Sequence, residues 1–340
     1  MSTTVFAYSK KGMDTALRII AELGGDCRAW APERIAGGVF LPIPKPSAPL
    51  YAEEFGRSSL LVFVSSCGIA VRCIAPYVKS KLEDPAVVVV DETGRFAISL
   101  LSGHIGGANG LAKRLASALG GTAVITTATD ANGRFSVDSW AKAQGFTICG
   151  PDAAKAVSAA ILEGDVPFVS DFDVKGALPK GLYAGESGAV GIYLTYADES
   201  AAPFDVTLRL VPKCVVLGIG CRRGTPAESI KYAVDKTLTY HGIDIRAVKS
   251  AASIDLKRDE AGLIEYCREA GLDISFYSAE ELNAVKGDFT PSVFVKLTTG
   301  VDNVCERAAL IGADELIIKK TAENGVTVAA ALVKTEVRFE

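Results

Sequence analysis

Short aliphatic runs alternate along this chain with helical patterns, and glycine recurs where one gives way to the other. LLVFVSS (residues 60–66), AVVVVD (86–91), FAISLL (Phe96–Leu101) and CVVLGIG (214–220) are apolar almost throughout rather than at every second position. Strands of that kind are buried on both faces, which calls for helices on both sides of a largely parallel sheet. The chain has 340 residues, more than one typical core holds, so it should divide into domains. We expect an α/β protein: two α/β domains with mainly parallel sheets, residues 1–135 and 213–340, joined by a smaller α+β middle domain at 136–212. In that middle stretch the pattern weakens and Pro167, Pro179 and several glycines break it.

Within this frame, TTVFAYS reads as a first strand and residues 10–23 as a helix. A helix is expected at 69–80, a turn at Glu92-Thr93-Gly94-Arg95 joining the strands on either side of it, a helix at 108–119 and a strand at 122–130. Helices are expected near 136–145 and 152–163. The last domain should run helix 225–240, strand IRAVKS, helix 257–270, strand DISFYS, and helices at 279–284 and 302–311. ELIIKK and VTVAAALV should close it as a hairpin. Residues 291–300 carry β-branched side chains, but Pro291 and Gly300 bracket them as they would a short helix.

The formal net charge of −4 argues against general nucleic-acid binding, which needs a basic surface. No apolar run reaches the roughly 18 residues of a membrane span, and the amino terminus lacks the pattern of a signal peptide, so a cytoplasmic location is expected. Eight scattered cysteines with no C-x-x-C pair read as small packing residues. Two histidines, 104 and 241, are too few for a His-rich metal site. His241 follows a helix, where its role is structural.

The stretch SGHIGGAN (102–109) joins a strand to a helix and holds His104. Ser102, Gly103, Gly106, Gly107 and Asn109 are candidate ligand contacts there, because helix-start amides lack internal partners and attract anions. Amides near 105–107 are candidate oxyanion donors, and a neutral imidazole beside them is a candidate base. The plainer reading is a turn whose glycines allow close packing. Asp91, Glu92 and Asp130 are carboxylates near strand ends that would orient His104, and Thr126 and Thr127 precede Asp130. Each carboxylate has a plainer role in capping a turn.

GIGCRRGT (218–225) repeats the strand–glycine–helix logic. Gly220, Cys221, Arg222, Arg223 and Gly224 are candidate contacts for a carboxylate or phosphate, against the alternative of a structural turn with two solvated arginines. The glycine spacing of a dinucleotide fingerprint is absent. VSSCGIAVRCIAP (64–76) is a third junction, where Gly68 and Arg72 are candidate contacts and Cys67 is better read as packing than as a nucleophile.

Taken together and in order, CGIAVRCIAP, DPAVVVVDETGRFAISLLSGHIGGANGLA, VITTATD, VVLGIGCRRGT and TTGVDNVCERAAL resemble the cobalt-precorrin-5A hydrolase family, the cobalamin biosynthesis protein G. The likeness is densest over 60–135 and 214–330 and weak through the middle. A small residue is usual in that family at the position of Cys67, which further weakens thiol chemistry. The resemblance implies a role in the oxygen-independent route to vitamin B12, with opening of the ring A δ-lactone and release of acetaldehyde. It implies a cobalt-tetrapyrrole substrate that brings its own metal, so no cofactor is expected. Neither nucleic acid nor membrane is an expected partner; a homodimer or transient contact with other enzymes of the pathway is compatible with it. A methyltransferase would need a cofactor turn, which the sequence lacks, and a non-catalytic tetrapyrrole carrier would release no acetaldehyde.

Overall fold

The β-branched runs become strands whose side chains are buried on both faces. The computed structural model describes residues 2–80, 83–104 and 106–339. The chain forms two compact units, residues 1–139 and 140–340. The first unit runs β1 (Thr3–Ala7), α1 (Lys10–Leu23), β2 (Cys27–Pro32), β3 (Phe40–Ile43), α2 (Ala48–Arg57), β4 (Leu60–Val64), α3 (Cys67–Ile74), β5 (Ala86–Val90) and β6 (Phe96–Leu101). Then follow α4 (Ala108–Leu119), β7 (Thr122–Val124) and the single turn α5 (Ala128–Ala131). The strands form one sheet in the order β3-β2-β1-β4-β5-β6-β7. β1 to β5 are parallel, β6 runs antiparallel to β5, and β7 is parallel to β6.

On one face Val62, Val64, Val88 and Val90 pack with Ile19 of α1 and Leu115 of α4. On the other, Phe6, Leu61, Phe63, Val87 and Val89 pack with Leu50 and Phe55 of α2 and with Ala70 and Ile74 of α3. The β5–β6 pairing skips a residue: Val88 faces Ser99 and Val87 faces Leu101. That bulge turns both Leu100 and Leu101 toward the α3 face.

Two expected elements are shorter than the sequence suggested. The helix foreseen at 69–80 is α3 followed by a 3-10 turn, Ala75–Tyr77, because Pro76 has no N–H to continue the helical ladder. The strand foreseen at 122–130 ends at Val124, its pairing with β6 stopping at Ile98. Thr127 and Asp130 then hydrogen-bond to each other across the α5 turn at 2.8 Å. Helix formation at Val293–Thr299 and the hairpin of Glu315–Glu323 with Val326–Leu332 are as expected.

Beyond α5 come α6 (Val137–Ala143), β8 (Thr147–Cys149), α7 (Pro151–Glu163), β9 (Val166–Ser170), β10 (Val174–Lys175), β11 (Leu182–Ala184), β12 (Val190–Leu194) and β13 (Val206–Val211). Their sheet has the order β11-β9-β12-β13-β8, parallel except for β8. The remaining elements are β14 (Val215–Cys221), α8 (Ala227–Tyr240), β15 (Val248–Ile254), α9 (Ala261–Glu269), β16 (Asp273–Tyr277), α10 (Ala279–Ala284), α11 (Val293–Thr299), α12 (Val304–Leu310), β17 (Glu315–Glu323), β18 (Val326–Leu332) and β19 (Val337–Arg338). Five of these strands form a second five-stranded sheet, β16-β15-β14-β18-β17, in which β18 is antiparallel to both β14 and β17. β19 returns to pair with β10.

The whole is therefore an α/β protein with several mixed, mostly parallel sheets. Among the described residues no helix is long and apolar enough to cross a membrane.

Candidate active site

The direction of β6 decides which of the expected residues meet. β6 is antiparallel to β5, so its carboxyl end lies at the opposite end of the sheet from the carboxyl ends of β1, β4 and β5. β7 follows β6 in parallel and brings residues 126–130 to that same opposite end. There His104 Nε2 lies 2.9 Å from Asp130 Oδ2 and 3.1 Å from Thr129 Oγ1. Asp130 Oδ2 also accepts from Asn109 Nδ2 at 2.9 Å and from Thr127 Oγ1 at 2.8 Å. Asn109 Nδ2 additionally donates to Thr127 Oγ1 at 2.9 Å. Lys113 Nζ stands 3.5 Å from Asp130 Oδ1.

Burial pushes the Asp130 carboxyl up, but the Thr127 and His104 hydrogen bonds and the nearby His104 and Lys113 charges outweigh it. The net effect holds Asp130 below its ordinary value, so at neutral pH it is a carboxylate. An ionised Asp130 accepts from Nε2–H of His104, which leaves Nδ1 as the basic nitrogen. The two side chains are about a quarter exposed, 23% and 24%, so the pair is both supported and reachable.

The turn supports the pair by closing on itself. Ser102 takes a left-handed φ of 55° and its hydroxyl donates to the Asp84 carbonyl at 3.0 Å. Gly103 lets Asn109 approach closely: a Cβ there would lie 2.6 Å from Asn109 Oδ1, so the Asn109 side chain would have to shift. Gly106 packs equally closely on Ser102. The Gly107, Ala108 and Asn109 amides donate to the carbonyls of His104, Ser102 and Gly103 at 3.0, 3.2 and 3.0 Å. Those amides, expected to face an anion, are thus satisfied inside the turn. Of the oxyanion donors expected at 105–107, Ile105 lies outside the described residues and Gly107 is committed, which leaves the Gly106 amide. Thr126 is exposed at the start of the segment.

The other expected carboxylates sit elsewhere. Asp91 closes the β5–β6 turn, accepting from the Thr93 amide at 3.0 Å, the Thr93 hydroxyl and the Phe96 amide at 2.6 Å. Burial raises its carboxyl, yet these hydrogen bonds bring it below the ordinary range. Glu92 accepts from Ser9 Oγ at 2.7 Å. Both therefore lie at the far end of the sheet from His104 and do not orient it, because β6 reverses the chain. Gly68 and Arg72 lie on α3, with Arg72 Nη1 folded back on the Gly68 carbonyl at 3.3 Å. A cavity of about 510 Å³ also opens at that far end, lined by Tyr8, Arg34, Lys45 and Tyr51 among others. It lacks a histidine, and size alone does not place acid–base chemistry.

At GIGCRRGT the expected anion sites are largely filled by the protein's own carboxylates. The Gly224 amide donates to Glu260 Oε1 at 2.6 Å, and Glu260 is paired with Lys257 at 3.0 Å. Arg223 pairs with Asp259 in solvent. Gly220 abuts Thr327, whose hydroxyl donates to its carbonyl at 3.3 Å, and burial pushes the Cys221 thiol up. Arg222 donates its amide to the Gly325 carbonyl at 3.1 Å, while its exposed guanidinium has no charged partner among the described residues.

Residues 50–130 match the family described as Cobalamin synthesis G N-terminal, and residues 215–331 match Cobalamin synthesis G C-terminus. The cobalt-precorrin-5A hydrolase of Salmonella typhimurium is 33% identical over 341 aligned positions, which cover 96% of each chain. The chain belongs to the cobalamin synthesis G family. A second member, the cobalt-precorrin-5A hydrolase of Priestia megaterium, is 35% identical over 295 residues, 80% of this chain and 78% of that one.

Both His104 and Asp130 fall inside the first family segment, and GIGCRRGT falls inside the second. Sequence reasoning missed Thr129 and Lys113. Lys113 had a signal, since it follows Asn109 by four residues and so shares its helix face. Glu260 had none, because only the fold brings it under the Gly224 amide.

Proposed function

We infer that this chain is a cobalt-precorrin-5A hydrolase of cobalamin biosynthesis, with His104 and Asp130 as its acid–base pair. The observation that carries the activity is the 33% identity to the Salmonella typhimurium hydrolase across 96% of both chains. The 2.9 Å contact between His104 and Asp130 supports the assignment of the pair. The substrate is a cobalt-precorrin, whose cobalt arrives with it.

The family reaction has two parts. In the first, His104 Nδ1 takes a proton from water as the water oxygen bonds to the lactone carbonyl carbon. The carbon–oxygen ester bond then breaks, and the leaving oxygen is protonated to a hydroxyl. In the second, that hydroxyl loses its proton, the adjacent carbon–carbon bond breaks, and acetaldehyde leaves. The electron pair of the broken bond passes to the macrocycle, which is then protonated. One water is consumed and one acetaldehyde is released. Asp130 holds the imidazole in the tautomer that bares Nδ1 and stabilises the imidazolium that forms. The Gly106 amide is the remaining backbone candidate for the oxyanion. Arg222 is the remaining candidate in GIGCRRGT for a substrate carboxylate, since its guanidinium is uncommitted.

Incubation with cobalt-precorrin-5A while trapping acetaldehyde tests the reading. Stoichiometric acetaldehyde supports it. Substrate binding without acetaldehyde would make the protein a carrier and overturn it.

A further inference from the structure

We propose that the cavity between α3 and the end of β6 seats the apolar face of the tetrapyrrole substrate, one edge of the macrocycle at a time. The proposal rests on the hydrolase reading and adds the place where the substrate sits. The cavity measures about 310 Å³ and is lined by Val71, Ile74, Ala75, Val78, Leu100 and Leu101. All six side chains are aliphatic, so the cavity offers a ligand apolar contact and no polar side chain.

Three features mark it as more than a packing flaw. First, Val71 and Ala75 follow one another at a spacing of four on the helical segment, and Val78 comes just after its end. Second, the β5–β6 bulge places Leu100 and Leu101 on the same face, where a regular strand would turn one of them away. Third, Val71 and Val78 remain 46% and 43% exposed at its mouth, aliphatic surface left uncovered beside an apolar floor.

Charge fits the same occupant. Lys79 is the immediate chain neighbour of Val78 and is exposed. It makes no ion pair among the described residues. A tetrapyrrole presents an apolar ring system with carboxylate arms at its rim, which matches an aliphatic floor with a cation beside it. Leu101 is three residues before His104, a span of at most about 11 Å of extended chain. A ring edge lying on Leu100 and Leu101 would therefore bring its periphery within reach of the His104–Asp130 pair.

The test uses the full-length protein. Ala75→Phe fills the cavity from an exposed position, and Val78→Asp sets a carboxylate against the substrate's own. Val78→Leu keeps the surface apolar, and Val39→Asp alters an exposed valine on a different segment. We expect the first two to raise KM for cobalt-precorrin-5A about tenfold or more, a 1.4 kcal/mol loss, with kcat little changed. Val78→Leu and Val39→Asp should stay near wild type. Equilibrium dialysis with cobalt-precorrin-5A should give the same order of affinities without turnover. Folded Ala75→Phe and Val78→Asp variants that bind like wild type would overturn the seat while leaving the hydrolase reading intact. A wild-type protein that binds substrate through this cavity but releases no acetaldehyde would overturn the hydrolase reading alone.

Discussion

The role proposed for His104 depends on its neighbours. Replacing it with Gln keeps a polar side chain of similar reach but removes the basic nitrogen. His104→Gln should stay folded by circular dichroism and lose roughly 100-fold or more of its acetaldehyde release. Asp130→Asn preserves the shape and removes the charge that selects the imidazole tautomer, so it should cost at least about 100-fold as well. It also changes the acid behaviour of the protein. The Asp130 carboxyl is held below its ordinary value, so it contributes stability that is complete above the unfolded pKa of about 3.9. That contribution is lost as pH falls through the lower folded value. Urea unfolding midpoints should therefore drop less from about pH 6 to about pH 3 in Asp130→Asn than in wild type. At this scale the sequence offered three carboxylates for one histidine. Asp91, Glu92 and Asp130 look alike as residues near strand ends, and composition has no means of ranking them.

At the scale of the element, strands were the most legible part. Continuous runs such as AVVVV are readable because burial on both faces leaves no polar alternation. Their ends were less so. Residues 125–130 carry β-branched side chains suited to a strand, yet β7 stops where its neighbour β6 stops pairing. Local hydrogen bonds of Thr127 and Asp130 then favour a helical turn. The glycine of GIGCRRGT that matters most for packing is Gly218, where a Cβ would lie 1.8 Å from the Cys305 carbonyl oxygen. α12 crosses β14 at that point with no room for a methyl group. Gly218→Ala should therefore destabilise by roughly 3 kcal/mol, read as a lower urea midpoint with an unchanged slope. A fold with α12 lifted off the strand would tolerate the substitution.

In the molecule as a whole, the second unit is tied together by buried charge. Arg209 on β13 pairs with Asp244, just before β15, at 3.1 Å, with side chains 8% and 4% exposed. Arg246 adds a second bond to Asp244 at 2.7 Å. Burial raises the Asp244 carboxyl, but the Arg246 and Arg209 contacts bring it below its ordinary value. Removing the charge strands Arg209 in the interior, so Asp244→Asn should cost about 3–5 kcal/mol. The depressed carboxyl contributes fully above its unfolded pKa and fades as pH falls through the folded one, so the cost should shrink in acid. Thermal or urea unfolding at neutral and acid pH checks both statements.

Much of this protein was determined by the order of its residues alone. The α/β class follows from runs buried on both faces, and the family from motifs spread along the chain. His104 stands out as a histidine set in a glycine turn between strand and helix. The tertiary structure decided which carboxylate it meets. One antiparallel strand, β6, sends His104 and Asn109 to the end of the sheet opposite Asp91 and Glu92, and β7 brings Asp130 to join them. The tertiary structure also decided that the anion sites at GIGCRRGT are mostly occupied from within, by Glu260 and Asp259. Strand direction and the reach of distant side chains are set by long-range pairing, which no local pattern of residues records.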